Sequence, residues 1–534
     1  MGWSADFLSE LASPTVSPKY ILEFVMDYHE VIGEEGAFSS HSTEYSQLIG
    51  SEVSVGGGRV QPGSWSYTKG GWSVLVIDDE ANGDVYTLLQ QVVRGNYAVL
   101  RVGFAGWADS DFETVALGAL SSVSGTAPEF VFEFDSILTH WATRHAVDAA
   151  QMALFDSIDA NDADLTRENT TVTASWPVGD ATINVSSTSD FARGSSGKGA
   201  LLCSDDFYGD PFYVIYTGET STTFTGVATG DMRLTSPVPM GISTPAQVFA
   251  CAYLDGHPCD IAREVLVSTG DGVHGTHDDL PRSWGFAAFE DWVDDDDIID
   301  IKAIIGDKSG NDHDWQVIVE EGQTDAIGWL NGLLSEAGIW LTMRQGKVTI
   351  RAAQNTDMDS SKRYEDLWVV PDFELTDDDI IEVQNYQFFF NEMPTEAATC
   401  SAAYYASHNA GTLVSGVSVT TDVTSLPAVT LSEHDLTDVV FDSSSQPATD
   451  VIFRCHLWEC RVPEYVKVTC AGLRCAQLCP GDVIPVTSSQ LRGRMDRTAD
   501  GWDAVDAMVI GVSVSWMDGT VELELVAANH EFGT

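Results

Sequence analysis

Basic residues are scarce in this sequence. Its 534 residues hold 26 Lys and Arg against 81 Asp and Glu, a formal charge of −55 at neutral pH. Only eight are lysine: Lys19, Lys69, Lys198, Lys302, Lys308, Lys347, Lys362 and Lys467. A chain with no basic stripe has no surface from which to release phosphate counterions, which argues against a nucleic-acid-binding role. Apolar runs are short as well, and none reaches the ~18–20 residues of a membrane span. The opening MGWSADFLSE has neither the basic nor the apolar stretch of a signal peptide. Asp6 stands where a myristoylation pattern needs Ser or Thr. The expectation is a chain made soluble in a host cytoplasm.

Core-forming residues are not lacking. Apolar residues are 44% of the chain and aromatics 10%, with 15 Trp, so global disorder is excluded despite the charge. At this length three or four domains are expected. The acids are spread along the chain rather than gathered in a tail, which reads locally as a solvated surface. Globally, such a charge repels itself at low salt. At 1 M salt the Debye length falls to roughly 3 Å and the repulsion is relieved. Few lysines and many aspartates resemble the proteins of salt-in halophiles.

Catalytic motifs are mostly missing too. GSSGKGA (194–200) has Ala192 where a phosphate loop needs its first Gly, and Gly199 where it needs Ser or Thr, so it reads as a turn. DKSGNDHDWQVI (307–318) has Asp312 and Ile318 where a calcium loop needs Gly and Glu. DDDD (294–297) reads as a charged surface loop. His140 and His145 are five apart, off a common helix face. His274, His277, Asp278 and Asp279 share one Gly-rich loop and could ligate a metal, although a solvated loop is the simpler reading.

Along the chain the predicted class is mainly β with a smaller α/β part. Residues 1–165 form a first β-domain, with strands in SVLVIDD, YAVLRVGF, ETVALGALSSVS and EFVFEFDS and a helix over 140–158. Residues 166–238 are a small inserted β-module of about five short strands with Ser/Thr/Asp-rich flanks. Residues 239–350 are mixed α/β. PCDIAREVLVSTG and TDAIGWLNGLLSEAG are helices, the second with Thr324 as N-cap and Gly338 as C′, and IWLTMRQGKVTIRAA is a hairpin over Gln345-Gly346. Residues 351–534 return to β.

Five of the nine cysteines crowd into RCHLWECRVPEYVKVTCAGLRCAQLCPGD: Cys455, Cys460, Cys470, Cys475 and Cys479. No CxxC is present, so neither a standard zinc ribbon nor a ferredoxin pattern applies. Buried thiols with one disulfide, a four-ligand metal or iron–sulfur site, and several disulfides remain open.

Several segments, in order, resemble the tail hub proteins of tailed viruses. GGWSVLVIDD and VVRGNYAVLRVGFAGWADSDFETVALGALSSV resemble the first hub barrel. DPFYVIYTGETSTTFTGVATG resembles a small inserted module of long-tailed phage hubs. VLVSTGDGVHGTHDDLPRSWGF and GWLNGLLSEAGIWLTMRQGKVTIR resemble the middle region, and CPGDVIPVTSS and GVSVSWMDGTVELEL the close of a second barrel. The family includes the hubs of contractile baseplates and gene-transfer agents, and lambda's tail-tip protein L, which carries an iron–sulfur cluster on C-terminal cysteines. The resemblance implies two tail-tube-like β-barrels in a virion structural protein, not an enzyme. It implies a homotrimer that adapts a six-fold tail tube to a three-fold tip and closes or gates the DNA channel. DNA would pass through without specific binding. Distal tail, tape-measure and tip or fibre proteins would be the partners, in the virion tail of a virus with a halophilic host. Any four of the five cysteines would hold an iron–sulfur cluster or zinc. The alternative is a tail-associated enzyme that degrades the host envelope.

Overall fold

The computed structural model describes residues 3–13, 18–25, 49–61, 65–68, 70–77, 94–126, 128–141, 169–177, 179–189, 191, 193, 197–204, 211–229, 241–251, 253–267, 292–305, 315–318, 326–353, 373–388, 397–405, 413–420, 428–441, 448, 451, 454–455, 463–491, 501–516 and 518–528. The fold is mainly β, built from mostly antiparallel sheets with a smaller helical part.

Alternation sets the first half. In Glu129–Ser136 the phenylalanines Phe130, Phe132 and Phe134 are buried while Glu129 and Glu133 are exposed, as a strand with one wet face requires. Burying a phenylalanine such as Phe132 stabilises by ~1.5–3 kcal/mol. Trp72 stacks on Phe134 at 3.8 Å between centroids. Gly118 keeps the neighbouring strand flush, because a Cβ there would lie 2.2 Å from the Asp135 carbonyl oxygen.

One sheet spans both ends of the chain. Along its main path the strands run Pro18–Val25, Tyr97–Phe104, Glu113–Thr126, Glu129–Ser136, Gly71–Ile77, Ile49–Gln61, Trp502–Ser515, Thr520–Ala528, Pro463–Ala471 and Ile380–Phe388, with Ser66–Thr68, Leu375–Thr376 and Val483–Ser488 paired off it. The first six come from the N-terminal region and the last four from the C-terminal region. They meet where Ser54, Val55 and Gly56 pair with Ser515, Val514 and Ser513, across a register shift between Gly56 and Arg59. Among the described residues, no strand pair closes either half into a barrel.

The inserted module has a core of its own around Trp176, Phe191, Leu201, Tyr216 and Phe224. Its five-stranded sheet runs past residue 238, because Gln247–Cys251 pairs with Gly199–Ser204. The middle unit likewise draws strands from beyond residue 350. Tyr253–Gly256 and Trp315–Ile318 share a sheet with Ala428–Phe441, Ala397–Tyr405 and Leu413–Thr420.

Three helices, Pro258–Val267, Asp295–Ile305 and Ala326–Ser335, pack with the hairpin Ile339–Arg344 and Lys347–Ala352 over a second core. The hairpin turns at Gln345 and Gly346, with φ of 49° and 74°, the two left-handed residues of a type I′ turn. Gly338 ends the third helix at φ 65°, as read from the sequence; Thr324 lies outside the described residues. Helix is seen over residues 137–141, so of the helix expected over 140–158 only 140 and 141 are described, and 142–158 lie outside the described residues.

Candidate functional site

The hairpin carries a buried polar face. Trp340 pairs across with Arg351, Thr342 with Thr349, and Arg344 with Lys347, so these side chains share one side of the ribbon. Helix Asp295–Ile305 lays Asp297 on this face. Asp297 accepts hydrogen bonds from Arg344 Nη1, from Arg351 Nη1 and from Thr349 Oγ1 at 2.6 Å. Arg351 Nε reaches Asp482 Oδ1 at 3.2 Å, on the turn ahead of Val483–Ser488. Asp482 in turn accepts from the Cys479 backbone N at 2.8 Å. Arg351 and Asp482 are fully buried and Asp297 is 3% exposed.

The expected surface loop at 294–297 is therefore a correction. Asp294 and Asp297 are buried, and Asp295 opens a helix. Two aspartates opposite two arginines make the cluster neutral, so burial becomes tolerable where a lone charge would not be. Burial alone would raise the Asp297 carboxyl. The Arg351 and Arg344 guanidiniums, with hydrogen bonds from Arg351 and Thr349, outweigh it and hold the carboxyl below the ordinary aspartate range. Arg351 Nη2, Trp340 Nε1 and Thr342 Oγ1 stay buried with no hydrogen-bond partner among the described residues. The cluster ties together three segments: the hairpin, helix Asp295–Ile305 and the turn at Asp482.

The cysteines named from the sequence divide between cores. Cys455 lies in the middle core, with its Sγ where a Cβ on Gly338 would come within 2.3 Å. Cys470 and Cys475 lie in the core of the large sheet. A hydrogen bond to Cys470, then burial, pushes the Cys475 thiol up. Cys479 sits beside Asp482, its Sγ 3.5 Å from Oδ1, and burial pushes its thiol up as well. Cys460 lies outside the described residues, as do His274, His277, Asp278 and Asp279. Among the described residues, no three His, Cys, Asp or Glu side chains gather as a metal-holding group. The cofactor expectation has its own check, the iron and zinc content of anaerobically purified protein. At 194–200, Lys198 pairs with Asp255 and Gly199 opens a strand.

A second feature lies where the two halves of the large sheet and the hairpin tip converge. A cavity of about 70 Å³ is lined there by Trp3, Trp72, Leu117, Met343, Leu478 and Trp516, among others. Trp3 meets Trp516 edge-on at 6.3 Å. Neither this junction nor the polar face could be read from local sequence, since each joins residues from segments far apart in the chain.

No family model matches the sequence, and no curated protein matches it. Solved structures do. A 43 kDa tail protein of prophage MuSo2 from Shewanella oneidensis is 8% identical, with 96% of this chain and 98% of that chain covered and a TM-score of 0.35. A chain of the native gene transfer agent virion is 14% identical over 46% of this chain and 84% of that one, at a TM-score of 0.17. The E. coli c3393 protein, a component of the type VI secretion system, is 10% identical over 91% and 74%, at 0.26.

Proposed function

We propose that this chain is a structural, non-enzymatic protein of a viral tail, acting as the hub at its distal end. Three copies would adapt a six-fold tail tube to a three-fold tip and close or gate the DNA channel. The resemblance of ordered segments to tail hubs supports this reading. The observation that carries it is the edge-to-edge union of the two β-regions in one sheet, Ser54 opposite Ser515. Two β-units fused side by side in each chain are what three chains need to supply six wall elements.

In this reading the inserted module, with a separate core, meets tip or fibre proteins, while the hub contacts distal tail and tape-measure proteins. The acidic surplus repels passing phosphates and keeps the channel non-adhesive. The charge pattern supports a halophilic host in this reading. Quantitative peptide mass spectrometry of purified tailed particles tests the assignment. About three copies per tail are expected, and absence of the chain from the particles would overturn it.

A further inference from the structure

The N-terminal segment is held differently from the rest of the fold. Among the described residues, 3–11 pair with no strand. Ser4 caps the helix Ala5–Leu11 by accepting from the Phe7 amide, and seven residues are too few for a helix to persist on its own. Its seat is made by Trp3, Phe7 and Leu11, all buried. Phe7 packs on Phe104 in the N-terminal half of the large sheet at 5.2 Å and on Trp107 just beyond that strand at 6.2 Å, and Trp3 packs on Trp516, just past the C-terminal-half strand Trp502–Ser515. Three hydrogen bonds fix the segment's start. Trp3 N donates to Gln345 Oε1 at 2.7 Å, Trp3 Nε1 to the Thr114 carbonyl at 2.8 Å, and Ser4 N to Glu113 Oε1 at 3.0 Å. Gln345 holds φ 49°, an unfavourable conformation for a side-chain-bearing residue, and this residue supplies the acceptor.

The segment therefore touches both halves of the large sheet and the hairpin tip, and its Trp3 helps to close the junction cavity. The outer side is the opposite in character. Asp6 and Glu10 of the helix face Asp111 and Glu113 across an open groove of about 550 Å³. Carboxylates on both walls repel at low ionic strength and are screened at high salt, while salts excluded from protein surfaces strengthen apolar burial.

We propose that residues 3–11 form a salt-sensitive latch. At high salt the latch is seated and locks the hairpin tip against the two sheet halves. As salt falls it lifts as a unit, before the sheet unfolds, and frees the hairpin tip. The proposal does not depend on the tail assignment.

Hydrogen–deuterium exchange on the full chain tests it at 0.3 and 3 M KCl. The Leu8 and Ala12 amides, which bond within the helix to Ser4 and Leu8 carbonyls, should exchange at least tenfold faster than those of Leu100 and Val509 at 0.3 M. That ratio should shrink severalfold at 3 M. Asp6→Asn with Glu10→Gln, both at exposed positions, should remove most of the salt effect on the ratio. Gln345→Ala should speed helix exchange at either salt. Helix amides exchanging at the rate of the core strands would overturn the latch. A ratio unchanged by salt, or by the Asp6/Glu10 pair, would overturn its salt sensitivity.

Discussion

Arg351 stands at the meeting point of three segments: its own hairpin, the helix that carries Asp297 and the turn that carries Asp482. Removing one partner of such a buried pair leaves the others charged and dry. Arg351→Met is therefore expected to cost ~3–5 kcal/mol, read as a lower urea midpoint at fixed salt. A second expectation follows from the Asp297 carboxyl, which the folded state holds below its ordinary range. A depressed carboxyl contributes its full stability above the unfolded value, near 3.9, and loses it as pH falls through the folded value. The stability gap between wild type and Asp297→Asn should be constant from pH 7 to 5 and shrink below about pH 4. A gap independent of pH would show that folding does not shift the Asp297 carboxyl, and a gap that widens as pH falls would show that it is protonated in the native state. Little of this was legible in sequence. DDDD reads as surface because four acids in a row usually are, and the arginines that neutralise Asp297 lie about fifty residues away.

Many strands and the Gly338 end of one helix were legible because local chemistry decides them. EFVFEFDS alternates, and Gln345-Gly346 sits between two β-branched, apolar runs. The same turn also meets a distant strand. A Cβ on Gly346 would lie 2.5 Å from Thr114 Cγ2 and 2.9 Å from its carbonyl oxygen, and φ is 74°. Gly346→Ala is expected to destabilise by about 1–3 kcal/mol from backbone strain, with the contact to Thr114 adding to it. Equilibrium denaturation measures this, and an unchanged midpoint would remove the hairpin tip from the junction. What the sequence hid at this scale was partnership. Gln247–Cys251 joins the inserted module and Ala428–Phe441 joins the middle sheet, since strand pairing across long separations leaves no local mark.

For the whole molecule, composition foretold a charge problem and topology shows how the chain is put together. A charge of −55 destabilises the compact state at low salt. The melting midpoint should rise steadily from 0.1 to 3 M KCl, and a flat midpoint would contradict the halophilic reading while leaving the tail assignment standing. Mainly-β architecture was foreseeable from strand patterning. The union of both chain ends in one sheet was not, because Ile49–Gln61 and Trp502–Ser515 are each ordinary strands until they pair. That union underlies the proposed role, and a reconstruction of the tailed particle tests it most directly. The account predicts three copies of this chain around the tail axis at the distal end, their sheets forming a wall with six β-units. One copy or six around that axis, or a place away from the tail tip, would contradict it.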